Sequence, residues 1–168
     1  MSTTTTTEPW KPGMLRRFGD RMLTKGLLNG RGPAFIQLLT VAGRTSGLPR
    51  TTPVVPVQVD DDVWLVSPFG DVDWVRNLRA NGELQLHRGD ERRTYLAREL
   101  DPVEAVPVLH TYLSMPSERF VRHHFDVSKR STAAEIETEA PRHPTFALTP
   151  LTHDPLPAGT AVDEVSRC

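Results

Sequence analysis

Cysteine is almost missing from this chain of 168 residues, and the single one, Cys168, is the last residue. No internal disulfide can form, and no thiol stands in a patterned segment where it could act as a nucleophile. Aromatic residues make up only 7%, too few for a base-stacking platform. Neither charge sign dominates: 20 Lys and Arg face 21 Asp and Glu, for a net charge of -1. The basic excess that draws proteins to nucleic acid is therefore lacking. The start, Met1-Ser2-Thr3-Thr4-Thr5-Thr6-Thr7, has neither the basic opening nor the apolar run of a secretory signal, and no later apolar run is long enough to span a bilayer. These absences predict a cytoplasmic protein whose ligand is a small molecule.

Metal-site spacing is also missing. His123 and His124 are adjacent and diverge, which suits two surface side chains better than two ligands of one ion. His87, His110, His143 and His153 show no zinc-binding spacing and read as exposed or capped. No metal is predicted.

What is present is the ordinary make-up of one globular domain, 38% apolar and 24% charged. Residues 1–12 read as a disordered leader, 13–151 as the folded domain and 152–168 as a flexible tail. Met14, Leu15, Phe18, Met22, Leu23 and Leu27 recur at helical spacing opposite Arg16, Arg17, Arg21 and Lys25, which predicts an N-terminal amphipathic helix from Met14 to Asn29. Such a helix can pack on the domain or on a second copy, or make peripheral contact with a membrane through its basic side.

Strands are expected at 34–42, 51–59 and 63–67, with Pro53 and Pro56 marking an edge or a bulge. A short helix over 73–80, capped by Asp73, precedes a hairpin of 83–88 and 92–99 that turns at Gly89-Asp90. Asp101-Pro102 opens a helix to about Leu113, with Val103, Val106, Val108, Leu109 and Leu113 as its buried stripe and Pro107 as a kink or break. Helical turns near 118–124 and 132–140 and a last strand over 145–149 complete the chain. Short strands joined by tight turns, with few helices, predict a mainly β, α+β fold: an antiparallel barrel with helices outside it.

Two stretches carry candidate chemistry. In Gly43-Arg44-Thr45-Ser46-Gly47-Leu48-Pro49-Arg50, glycines allow a tight turn, hydroxyls can donate, and Arg44 and Arg50 can fork onto anionic oxygens. Taken alone, such a loop is more often a solvated turn; it is neither a Walker loop nor a GxGxxG motif. In Ser67-Pro68-Phe69-Gly70-Asp71-Val72-Asp73-Trp74-Val75-Arg76-Asn77-Leu78, a strand leaves through a Pro/Gly loop into a helix start. Trp74, Asn77 and Leu78 share one face there, either facing a flat anionic ligand or belonging to the core.

Together, LLTVAGRTSGLPRTTPV, the strand ending at Ser67, DWVRNLRANGELQL and the hairpin after it resemble the deazaflavin (F-420)-dependent nitroreductase family of flavin/deazaflavin oxidoreductases. The resemblance runs from about Ala34 to Pro150. It implies the split β-barrel of flavin reductases and FMN-binding proteins, with coenzyme F-420 as hydride carrier. It further implies that Arg44, Thr45, Ser46 and Arg50 grip the coenzyme's phosphate and acidic tail. Pro53, Val54 and Val55 would line the ring, and Ser67, Phe69, Gly70, Trp74 and Asn77 would flank it. Many members carry Lys where this chain has Thr45, and Pro where it has Asp73, so one phosphate-pairing cation is missing.

The implied reaction passes a hydride to a small, hydrophobic, electron-poor substrate such as an activated alkene or a nitro compound. Tyr112, Tyr95, Ser67 or bulk water could supply the proton, and the segment Leu109 to Phe125 is the expected substrate wall. The alternative is a non-catalytic barrel, or one holding FMN, haem or a fatty acid. A barrel of this kind commonly buries one side in a homodimer.

Overall fold

The computed structural model describes residues 32–151. The predicted leader, amphipathic helix and tail lie outside the described residues. Seven strands form one antiparallel sheet: β1 (Gln37–Ala42), β2 (Pro49–Val54), β3 (Val57–Val59), β4 (Asp62–Val66), β5 (Glu83–Arg88), β6 (Glu91–Glu99) and β7 (Thr145–Pro150). Their order across the sheet is β2-β1-β5-β6-β7-β4-β3.

The two edge strands, β2 and β3, are consecutive in the chain and separated only by Val55 and Pro56. A link that short reaches roughly 10 Å, so the sheet must curl until its edges nearly meet. Val55 and Pro56 interrupt the expected 51–59 strand, because proline cannot donate to a ladder and is confined to edges and breaks. The first strand starts at Gln37, after a turn in which the Ile36 N–H donates to the Pro33 carbonyl at 3.1 Å.

Local chemistry accounts for the remaining elements. Asp60, at φ 52°, makes the turn between β3 and β4, in a left-handed conformation that aspartate tolerates. Gly89, at φ 58°, turns β5 into β6, whose pairing of Arg88 with Glu91 leaves a two-residue loop. Helix α1 (Asp73–Asn81) has Val72 at its N-cap with no side-chain cap, so Asp73 is its first residue and not the expected cap. Helix α2 (Pro102–Tyr112) starts on a capping box between Asp101 and Glu104, and α3 (Ala133–Glu139) on one between Thr132 and Glu135. Two short 3-10 turns, Pro116–Phe120 and Arg122–His124, lie between them.

Helix α2 runs through Pro107 unbroken. The carbonyl that loses its amide partner belongs to Val103, which is 64% exposed, where water can replace it. That exposure also removes Val103 from the expected stripe, which is carried by Ala105, Val108, Leu109, Tyr112 and Leu113.

The apolar interior has two parts. One lies inside the curl, where Leu39, Val41, Leu65, Leu84, Leu86, Tyr95, Phe146 and Leu148 from five strands meet Val75 and Leu78 of α1. The other joins Val57 and Val66 to Leu109, Tyr112, Phe125 and Ile136 on the helical side. Each fully buried large aliphatic side chain contributes roughly 1.5–3 kcal/mol.

Two histidines expected at the surface are buried. His87 lies in β5 with its Nε2 3.2 Å from the Thr40 hydroxyl, and His143 is enclosed beside Glu139. Burial pushes both imidazoles below their ordinary value of 6.5, with Arg92 adding to the effect on His87, while Glu139 opposes it at His143. The unfolded chain binds these protons near pH 6.5 and the folded chain only at lower pH. Stability is therefore full above about pH 6.5 and is lost as pH falls through and below it. We expect the melting temperature to drop between about pH 7.5 and 5.5, and His87→Gln to lessen the drop; equal slopes in the two proteins would refute the assignment to His87.

Candidate functional site

The hairpin between β1 and β2 is built tightly. The Gly43 N–H donates to the Leu48 carbonyl at 2.9 Å, the Gly47 N–H to the Gly43 carbonyl at 2.7 Å, and the Leu48 N–H to the Ser46 hydroxyl at 3.3 Å. Gly47 sits at φ +66°, a conformation other residues resist. Gly43 is required for a different reason: a Cβ there would come within 2.9 Å of Ser46 Oγ and 3.3 Å of the Leu48 carbonyl. The Arg50 Nε passes 3.5 Å from the same point, so the folded hairpin brings Arg50 alongside the loop. Among the described residues, Arg50 has no carboxylate partner and the apex amides of Thr45 and Ser46 have no acceptor. Exposed guanidinium and free N–H groups around one loop are donors of the kind that anionic oxygens accept from.

Asn77 joins this hairpin to the second sequence stretch. Its Oδ1 accepts from the Arg44 backbone N–H at 3.1 Å and from the Arg44 guanidinium at 3.0 Å. The same guanidinium reaches Asp73 at 3.3 Å, an exposed pair worth roughly 0–1 kcal/mol. One turn on, Asn81 donates from Nδ2 to the Ala42 carbonyl at 2.9 Å and to the Asn77 carbonyl at 2.7 Å, pinning the helix end to the end of β1. Asn81 was missed in the sequence because Asn-Gly there reads only as a helix stop.

Ser67 follows β4 directly and is fully buried. Its hydroxyl donates to the Gly70 carbonyl at 2.6 Å, which closes the Ser67–Gly70 loop. Gly70, at φ +72°, completes that turn, and a Cβ on it would lie 3.3 Å from the Arg142 carbonyl. Phe69 packs edge-on to His124 at 4.7 Å, which ties the loop to the expected substrate wall. Beyond the loop, Asp71 takes exposed ion pairs from Arg76 and Arg79 at 3.0 and 2.6 Å.

The fold thus brings the two stretches together at Asp73 and Asn77, with Pro53 and Val54 further along the strand that carries Arg50. Trp74 is partly buried and packs on Phe146 at 5.9 Å, and Leu78 is core. Asn77 is 5% exposed and its oxygen is already engaged, so it positions Arg44. Tyr112 is packed against Phe125 at 5.9 Å, and burial pushes its phenol well above the ordinary value of 10. A cavity of about 440 Å³ opens between Leu113–Glu118 and Ser128–Arg130, but no residue of either stretch lines it. Among the described residues, no His, Cys, Asp or Glu group could hold a metal, and no helix is long and apolar enough to cross a membrane.

A curled antiparallel sheet with flanking helices and an arginine-bearing hairpin docked on a helix start is the split-barrel architecture. Residues 19–119 match the model of the F420H(2)-dependent quinone reductase family, and the chain belongs to that family. A solved structure described as a domain-swapped dimer is similar at 23% identity and TM-score 0.52, covering 80% of this chain and 96% of that one. The F420-H2 dependent reductase FDR-A is similar at 24% identity and TM-score 0.49, covering 69% and 95%. The haem storage protein HutZ from Vibrio cholerae is similar at 12% identity and TM-score 0.46, covering 70% and 82%. No curated protein is significantly similar in sequence. Family membership makes the chain an oxidoreductase that uses coenzyme F-420.

The joint predicts an asymmetry between its two members. Asn77→Ala removes the acceptor of a part-buried amide and should lower the unfolding free energy in urea by about 1–3 kcal/mol. Arg44→Ala keeps the backbone bond and should cost under about 1 kcal/mol. Equal losses would show that the backbone bond does not hold the hairpin.

Proposed function

We propose that the Gly43–Arg50 hairpin and the Ser67–Asn77 stretch hold reduced F-420 for hydride delivery to a small, hydrophobic, electron-poor molecule. The observation that carries this reading is the Asn77 joint, which places a cation-bearing hairpin against a helix start whose own aromatic residue, Trp74, is still partly exposed. Arg44, Arg50, Ser46 and the apex amides would take the phosphate and acidic tail. Pro53, Val54, Val55, Phe69, Gly70 and Trp74 would border the ring. When bound, the coenzyme supplies the hydride, and the protein supplies orientation and shelter from water.

A quinone is the acceptor that the family's name supports, and nitro compounds and activated alkenes share its electron-poor character. Reduction of any of them also consumes a proton. The Ser67 hydroxyl is committed to Gly70, and the Tyr112 phenol is buried with its acidity suppressed. Tyr95 is packed in the core inside the curled sheet, so solvent water is the proton source in this reading. A homodimer and peripheral membrane contact through Met14 to Asn29 belong to the same proposal.

A second reading rests on a specific observation: the hairpin has Thr45 where the resemblance leads one to expect Lys, and Asp73 adds a negative charge beside Arg44. Weaker grip on a polyanionic tail would favour FMN, haem or a fatty acid, or a non-catalytic role. Fluorescence titration separates the two. Binding of F-420 at micromolar levels supports the first, and binding of FMN with none of F-420 would overturn it. Arg50→Ala should weaken F-420 binding by about 1.5–3 kcal/mol, the scale of a charged hydrogen bond; an unchanged Kd removes Arg50 from the site.

A further inference from the structure

Glu139, at the last turn of α3, is a buried carboxylate that the site described above does not use; it is 6% exposed. Its Oε1 lies 3.0 Å from the His143 Nε2 and accepts from the Asp126 backbone N–H at 3.2 Å. Its Oε2 accepts from the Arg142 guanidinium at 3.0 Å, and that guanidinium also pairs with Asp126. A buried carboxylate is costly unless its oxygens are all engaged. Here the partners come from two segments, 124–126 and 142–144.

Those two segments are what the Ser67–Gly70 loop rests on. The Ser67 N–H donates to the Pro144 carbonyl at 2.9 Å, and the Gly70 backbone lies against the Arg142 carbonyl. Phe69 meets His124, while Phe125 stacks on His143 at 3.9 Å. The loop therefore has two supports, and one carboxylate ties them together.

We infer that Glu139 is a positioning residue for the Ser67–Gly70 loop, fixing through residues 142–144 and 124–126 the surface that the loop offers to the coenzyme ring. The coenzyme part rests on the function proposed above, whereas the effect on the loop does not. Glu139→Gln keeps the shape of the side chain and removes the charge that Arg142 and His143 share. Arg142→Gln, at a largely exposed side chain, removes one partner only and serves if the first variant does not fold.

Hydrogen exchange on the free protein comes first. The amides of Ser67, Gly70 and Val72 should exchange at least about tenfold faster in Glu139→Gln, and less so in Arg142→Gln, while amides of the β5–β6 hairpin keep their rates. Unchanged exchange in the loop, or an equal rise everywhere, overturns the positioning role. Titration follows, with Glu104→Gln as a control: it removes the carboxylate charge that pairs with Arg98 at the start of α2, touches neither support of the loop, and should leave the F-420 Kd unchanged. In Glu139→Gln the Kd should rise about five- to tenfold. If the unaltered protein binds F-420 and Glu139→Gln binds it equally well, the link from loop to coenzyme is overturned. If the unaltered protein does not bind F-420, it is the proposed function that fails, and the exchange data still decide the role of Glu139.

Discussion

The sheet has its two ends joined by a link of two residues, Val55 and Pro56, and the rest of the molecule follows from that constraint. Strands β2 and β3 belong to opposite edges, yet the chain passes straight from one to the other. An open sheet cannot satisfy both facts, so it curls, and the curl creates an inside that ten apolar side chains fill. The edges do not pair with each other, which leaves a seam. Pro53 and Pro56 stand at that seam because only there does a missing N–H cost nothing. The same seam puts Val57 on the helical side, where it joins Leu109 and Ile136 in the second apolar cluster.

A seam of unpaired edges needs local reinforcement, and both candidate stretches provide it. The β1–β2 hairpin stands on the first edge and is held by Asn77 and Asn81 of α1. The loop after β4 lies near the other edge and is held by residues 142–144 and 124–125. Helix α1 connects the two, since it starts three residues after Gly70 and carries Asn77 one turn later. Side-chain amides and backbone carbonyls hold these joints, and the ion pairs around Asp71 and Arg79 are exposed enough to add little.

How much of this could be read from the sequence divides along physical lines. Features set by neighbours in the chain were legible: the Gly89-Asp90 turn, the start of α2 at Asp101-Pro102 and the proline-marked edge. The antiparallel barrel was legible as well, since short strands with tight turns permit few other layers. Features set by distant contacts were not. Val103 follows the apolar spacing of α2, but no described residue covers most of its surface. His87 and His143 look like surface residues until strands and helices close over them. Glu139 is one acidic residue among several near a helix end, and only the approach of Asp126 and His143 makes it a buried hub. The Asn77 oxygen turns inward to a loop 33 residues earlier in the chain, a contact that no local pattern announces.

The choice of an amide at position 77 bears on how much positive charge the hairpin presents. A carboxylate in that position would fix Arg44 as firmly but would neutralise it in a part-buried setting, where opposite charges interact far more strongly than in water. An amide oxygen accepts the same two hydrogen bonds and leaves the full positive charge in place. Asp73 does lie 3.3 Å from the guanidinium, but it is 84% exposed, so water and salt screen most of its pull. Arg44 is therefore oriented by a neutral group and opposed only by a screened one, and Arg50 has no carboxylate partner among the described residues, so the hairpin keeps two largely unneutralised cations.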